Sequence, residues 1–190
     1  MSRDLFRSTL AETITLHETV KNGDAQPLLS AAAAVGDSLK AGGKLLVFGN
    51  GGSASDAQHA AAELVGRFQR ERRALAAIAL TTDTSVLTSI ANDYAFERVF
   101  ARQIEALGKN GDVALGITTS GASANVLAAF DAAKALGIVT IALTGRDGGR
   151  VGRAADIHVN VPGESTARVQ EVHRTLLHIV CDLVERALSA

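Results

Sequence analysis

Lys44-Leu45-Leu46-Val47-Phe48-Gly49-Asn50-Gly51-Gly52-Ser53-Ala54-Ser55-Asp56-Ala57-Gln58-His59-Ala60-Ala61-Ala62-Glu63 is the stretch from which the fold is read. It opens with a short apolar run, the mark of a strand buried on both faces. Residues 57–68 follow with the composition of a helix. The glycines and serines between them make a tight turn into a helix N-terminus, where the first amide groups lack intrahelical partners and are free to meet an anion. Ser53 or Ser55 is placed to cap that helix. His59 and Glu63 stand at i and i+4, so both side chains leave one face of it. The pattern implies an anion cradle beside an imidazole and a carboxylate, although a His–Glu pair of this spacing also serves as an ordinary surface salt bridge. It fits neither Gly-x-Gly-x-x-Gly nor the P-loop, since no Gly-Lys-Ser/Thr follows.

Beyond this stretch the chain alternates. Further short runs rich in Val and Ile at 77–80, 113–118, 139–143 and 157–161 read as strands. Helical stretches at 85–91, 96–107, 124–136 and 164–188 separate or follow them. Together with 44–48 they predict a five-stranded, parallel, doubly wound sheet flanked by helices, an α/β fold. Two amphipathic segments, about 2–20 and 26–40, precede the first strand and read as a helical packing or oligomerisation arm. The expected organisation is a single domain: an arm over 1–41 and an α/β core over 44–190.

Ligands of such sheets bind beyond the carboxyl ends of the strands. The loops there are Asn50-Gly51-Gly52-Ser53, Thr81-Thr82-Asp83-Thr84-Ser85, Thr118-Thr119-Ser120-Gly121-Ala122-Ser123-Ala124-Asn125 and Thr144-Gly145-Arg146-Asp147-Gly148-Gly149. All are rich in hydroxyls or glycine, and all belong on one rim. Hydroxyls and helix N–H groups without a lysine suit a sugar phosphate better than a nucleoside triphosphate. Asn92-Asp93 ends a helix that could reach the same rim, and equally reads as a plain helix end before a turn. The last helix carries Gln170, Arg174 and His178 on one stripe among apolar residues.

Composition limits the choices. The 190 residues are 47% hydrophobic, enough for a full core. A net charge of -1 gives no basic field for nucleic acid or an anionic membrane. Aromatic residues are only 4% and Trp is absent, which argues against base stacking. One cysteine, Cys181, leaves no intrachain disulfide and fits a reducing compartment. No run is long and apolar enough to span a bilayer, and Arg3, Asp4 and Arg7 interrupt the N-terminus, so the expectation is a cytoplasmic protein without a signal peptide.

Taken together, Gly49-Asn50-Gly51-Gly52-Ser53, His59 with Glu63, Asn92-Asp93, Thr118-Thr119-Ser120-Gly121-x-Ser123, and Gln170-Glu171 with His173 and His178 resemble the phosphoheptose isomerases, members of the sugar-isomerase (SIS) fold family. The resemblance covers nearly the whole chain. It implies interconversion of sedoheptulose 7-phosphate and D-glycero-D-manno-heptose 7-phosphate, the first step of nucleotide-activated heptose synthesis toward the lipopolysaccharide core. It implies a homotetramer with sites at subunit interfaces and one zinc ion per subunit. Zinc ligation falls to His59, Glu63, Gln170 and His178, and acid–base catalysis to Glu63 and His178. Substrate contacts fall to Asn50, Gly51, Gly52, Ser53, Glu63, Asn92, Asp93, Thr118, Thr119, Ser120, Ser123 and Gln170. The family often has Ser where Thr118 stands and an acidic residue where Ala167 stands. The related regulators that associate with the replication initiator DnaA share the fold but lack the Glu63 carboxylate and His178 imidazole, so this chain reads as the enzyme. Another sugar-phosphate isomerase or a sensor on the same fold is the remaining alternative.

The proposed ligand set raises a question of reach. Gln170 and His178 are separated by a helical rise of about 12 Å, whereas two ligand atoms on one zinc ion lie no more than about 4 Å apart. The two residues therefore come from different subunits, or one of them contacts substrate only.

Overall fold

The computed structural model describes residues 2–189. In chain order the elements are α1 (Ser2–Lys21), α2 (Gln26–Lys40), β1 (Leu45–Gly49), α3 (Gly52–Val65), β2 (Ala77–Ala79), α4 (Thr84–Asp93), a 3-10 turn (Phe96–Arg98), α5 (Ala101–Leu107), β3 (Val113–Thr118), α6 (Ala124–Ala135), β4 (Val139–Gly145), α7 (Gly149–Ala154), β5 (Ile157–Val161) and α8 (Thr166–Leu188). The strands form one parallel sheet in the order β2-β1-β3-β4-β5.

The central strands β1 and β3 are buried at every position because both faces are covered, whereas the edge strand β5 carries the half-buried polar residues His158 and Asn160. Alternate residues of β1 point to opposite sides. Leu45 and Val47 join Val113, Leu115, Ile117, Ile141 and Leu143 in a core closed by α2, α3 and α8. Leu46 and Phe48 face the other way, into a core closed by α5, α6 and α7. There the Phe48 ring stacks near Phe100 (centroids 5.3 Å apart) and meets Phe130 edge-on at 6.1 Å. Away from the site, the N-terminal edge of the sheet is tied by Asp112, which pairs with Lys44 at 2.6 Å and accepts from the Lys44 and Lys109 amides.

Three sequence expectations change. α2 is not an arm, because Ala31, Ala32, Val35 and Leu39 are buried in the core. α1 does stand off, with no buried residue; it touches α8 through Thr13 to Glu171 and His17 to Thr175, leaving Leu5, Phe6, Leu10 and Ile14 exposed. α3 begins at Gly52, so the glycine turn is already its first turn. Neither serine caps it; Gly51, at φ 56°, occupies the cap position. Finally, α7 breaks what was read as loop, its helical signal diluted by Gly149 and Gly152.

Candidate active site

β1 pairs with β2 on one side and β3 on the other, so the chains leaving β1 and β3 diverge. Between them opens a cavity of about 320 Å³, lined by Asn50, Gly51, Gly52, Ser53, Ile117, Thr118, Thr119, Ser120, Ser123, Thr166 and Gln170. Asn50 and Asn125 exchange amide hydrogen bonds across it, at 2.9 and 2.8 Å. Thr118 Oγ1 bridges the hydroxyls of Ser123 (2.9 Å) and Ser120 (3.3 Å), and the Ala122 amide donates to Ser120 Oγ at 3.2 Å. The loop is held from behind by the Val151 amide, which donates to the Gly121 carbonyl. Gln170 comes down from α8 onto the glycine turn so closely that a Cβ on Gly52 would collide with its carboxamide. A glycine is needed at 52 for that contact.

A second cluster lies further along α3. His59 Nε2 is 2.7 Å from His178 Nε2 and 3.3 Å from Glu63 Oε1, and all three groups converge within 4.8 Å. Two imidazole nitrogens and a carboxylate oxygen facing one point form a donor set that suits a borderline-soft divalent metal with an open coordination position. The Phe68 ring covers His178 at 5.3 Å. Burial holds the His178 pKa below the usual imidazole value; the nearby His59 and Arg174 act in the same direction, partly offset by Glu63. This environment favours the neutral form of His178, the form in which an imidazole ligates metal or offers one donor and one acceptor nitrogen.

Other groups on α8 are structural. His173 is fully buried and donates from Nε2 to the Thr144 carbonyl at 2.9 Å, pinning α8 to the end of β4. Arg174 binds Asp56 through two nitrogens, at 2.6 and 3.1 Å. The Cys181 thiol is buried and pushed up to about 12 by desolvation, with Glu63 and Glu185 adding to it, which makes it a poor nucleophile.

The sequence-derived site residues therefore fall into three places. His59, Glu63 and His178 meet at the metal-type cluster. Asn50, Gly51, Gly52, Ser53, Thr118, Thr119, Ser120, Ser123 and Gln170 line the cavity. Gln170 thus lies on the glycine turn, about 12 Å of helical rise from His178. Asn92 and Asp93 line neither; exposed at the end of α4, they bond each other at 2.8 Å. Asn125, Thr166 and Phe68 were not singled out by sequence; the first was quoted only as part of its loop, and its partner is 75 positions away. A further cavity, of about 890 Å³, lies between α1, α2, β5 and α8, is mostly apolar and contains none of these groups.

The SIS domain family model matches residues 10–145. A phosphoheptose isomerase of Roseiflexus sp. (strain RS-1) is 56% identical over 161 residues, 85% of this chain and 82% of that protein. The solved phosphoheptose isomerase of Neisseria gonorrhoeae superposes with a TM-score of 0.92 at 45% identity, covering 98% of this chain and 100% of the other. That of Francisella tularensis gives 0.94 at 39% identity, over 98% and 99%. The protein is thus of the SIS class, a doubly wound parallel sheet with a cavity at the β1–β3 divergence. Within that class the chain belongs to the phosphoheptose isomerase family and is an enzyme, an isomerase. Among the described residues no helix is long and apolar enough to cross a membrane.

The amide exchange across the crevice makes a measurable claim. Asn125→Ala or Asn50→Ala alone strands the partner amide and should cost about 1–3 kcal/mol. The double variant should lose clearly less than the sum, as contacting residues do. Urea unfolding of the four proteins measures the coupling; strict additivity would mean that the pair contributes nothing jointly.

Proposed function

We propose that this enzyme interconverts sedoheptulose 7-phosphate and D-glycero-D-manno-heptose 7-phosphate, the first step of nucleotide-activated heptose synthesis toward the lipopolysaccharide core. The observation that carries the reading is the His59–Glu63–His178 cluster, formed between α8 and α3, the helix whose first turn lines the hydroxyl-rich cavity. The names of relatives at 45% and 56% identity support the substrate class.

Aldose–ketose isomerisation moves a proton between two adjacent carbons while an oxygen proton moves the other way, so it needs a base at carbon and an acid at oxygen. Glu63 is the base. His178, neutral and covered by Phe68, donates to the sugar oxygen or opens the ring. The 118–123 hydroxyls and the first turns of α3 and α6 bind the phosphate and hold the sugar in register. Asn50, Gln170, Asn92 and Asp93 contact the remaining oxygens. His59, Glu63 and His178 would hold one zinc ion per subunit, and Gln170 is a fourth ligand or a substrate contact. When bound, zinc supplies a Lewis acid toward substrate oxygens.

The enzyme works as a homotetramer with shared sites. The exposed apolar face of α1, and a cavity of this chain whose lining does not include Asn92 and Asp93, support that arrangement. A phosphorylated substrate and a lone buried thiol fit the cytoplasm.

Purified protein given sedoheptulose 7-phosphate should form the aldose, and folded Glu63→Gln and His178→Gln variants should lose about a hundredfold or more in kcat. A wild-type protein without turnover would reject the reading. For the metal, elemental analysis should find about one zinc per chain. Chelation should abolish activity and zinc restore it; full activity in metal-free protein would remove zinc from the chemistry. For the shared site, mixing inactive Gln170→Ala and His178→Ala chains under conditions of subunit exchange should restore part of the activity. Failure to recover any, with exchange verified, would put both residues of each site on one chain.

A further inference from the structure

The two helices that form the His59–Glu63–His178 cluster are joined below it by a buried ion pair. The Glu185 side chain, on α8, is fully buried, and so is Arg72, which follows α3; they meet at 3.1 Å. Glu185 also accepts three consecutive amides of the connecting loop: Phe68 N at 2.7 Å, and Gln69 N and Arg70 N at 2.9 Å each. The two terminal nitrogens of Arg72 also give to the end of α3, to the Glu63 carbonyl at 2.8 Å and the Gly66 carbonyl at 2.9 Å, and to the neighbouring Arg73 carbonyl at 3.0 Å. One carboxylate thus seats Phe68, whose ring lies on His178, and its guanidinium partner grips the backbone of Glu63 itself.

We propose that Arg72 and Glu185 are positioning residues: together they form a clamp that sets the separation of α3 and α8, and so the geometry of His59, Glu63 and His178. Stability alone is a weak reason for such a pair. A buried ion pair often gains little over apolar residues of similar volume, because desolvating the two charges offsets their attraction. What the pair does supply is direction, since its hydrogen bonds end on the backbone of a cluster residue and on the seat of the ring that covers another. Metal-type and proton-transfer groups must be held to within about 0.5 Å to work. Supporting hydrogen bonds of this kind typically govern activity or metal affinity by about ten- to a hundredfold. The inference rests on the isomerase reading only in its kinetic part.

The test compares Glu185→Gln and Arg72→Lys with a control, Asp112→Asn, which breaks the partly buried Lys44–Asp112 pair tying the starts of β1 and β3, a contact that touches neither α3 nor α8. In the clamp variants kcat should fall about ten- to a hundredfold, with KM within about twofold of wild type. Zn²⁺ affinity, read by competition with a chromophoric chelator, should weaken by a similar factor. Asp112→Asn should lower the melting temperature but keep wild-type kcat and Zn²⁺ affinity. If the clamp variants lose only melting temperature, as the control does, the positioning role is wrong. Arg72→Lys retains the charge and carries the comparison if Glu185→Gln does not fold. A wild type that binds Zn²⁺ without turnover would overturn the isomerase reading alone, and the affinities would then decide the clamp. A wild type with neither property would overturn both.

Discussion

The site depends on the divergence of the chain at β1 and β3. These neighbours are parallel, so their carboxyl ends lie on the same edge, yet one continues through α3 toward β2 and the other through α6 toward β4. No connection can fill the gap between the two departures, which is why doubly wound sheets bind ligands there. In this protein the gap is bridged by side chains, with the Asn50 and Asn125 amides paired across it. Two helix N-termini and the 118–123 hydroxyls then face one cavity. The positions of the polar groups from 50–53 and 118–123 follow from strand order and from which residues begin the two helices, and α8 adds Thr166 and Gln170.

α8 brings the second half of the chemistry back over that edge. Its apolar residues Val169, Val172, Leu176, Leu177, Val180 and Val184 pack into the core with β4 and β5, fixing its rotation. His173 adds a directional pin on the Thr144 carbonyl. With rotation fixed, Gln170, Arg174 and His178 all face α3, at the glycine turn, at Asp56 and at His59 respectively. The two histidines of this helix show how position decides role. His173 points into the core and serves as a bolt, whereas His178, five residues on, reaches the half-buried seam between two helices.

Much of this was legible in sequence for physical reasons. A strand buried on both faces is apolar at nearly every position, so 113–118 coincides with β3; 157–161 also coincides with β5, although His158 and Asn160 interrupt its apolar residues. His59 and Glu63 could be paired from spacing alone because a helix fixes the i, i+4 relation. What escaped was set by partners remote in the chain or by glycine. Glu185 looks like a charge near the end of a surface helix until the loop amides, 115 to 117 positions away, are seen around it. α2 looked detachable because nothing local says that its small residues lie under β1 and α8. The starts of α3 and α7 were misjudged because glycine weakens the helix signal where the backbone most needs it.

The electrostatics of the cavity bear on what kind of ligand handling the fold permits. Among the described residues, no lysine or arginine lines it. The nearest cations on α8 are committed elsewhere, Arg174 to Asp56 and Arg168 to Glu171. A phosphate held there would be met by hydroxyls and by the partial positive charge of helix N-termini, which orient an anion while attracting it less strongly than a guanidinium fork does. Binding that is equally strong in the ground and transition states lowers KM without raising kcat. In the proposed reaction a cradle of dipoles would limit that unproductive part and leave discrimination to the end of the sugar nearest the His59, Glu63 and His178 cluster.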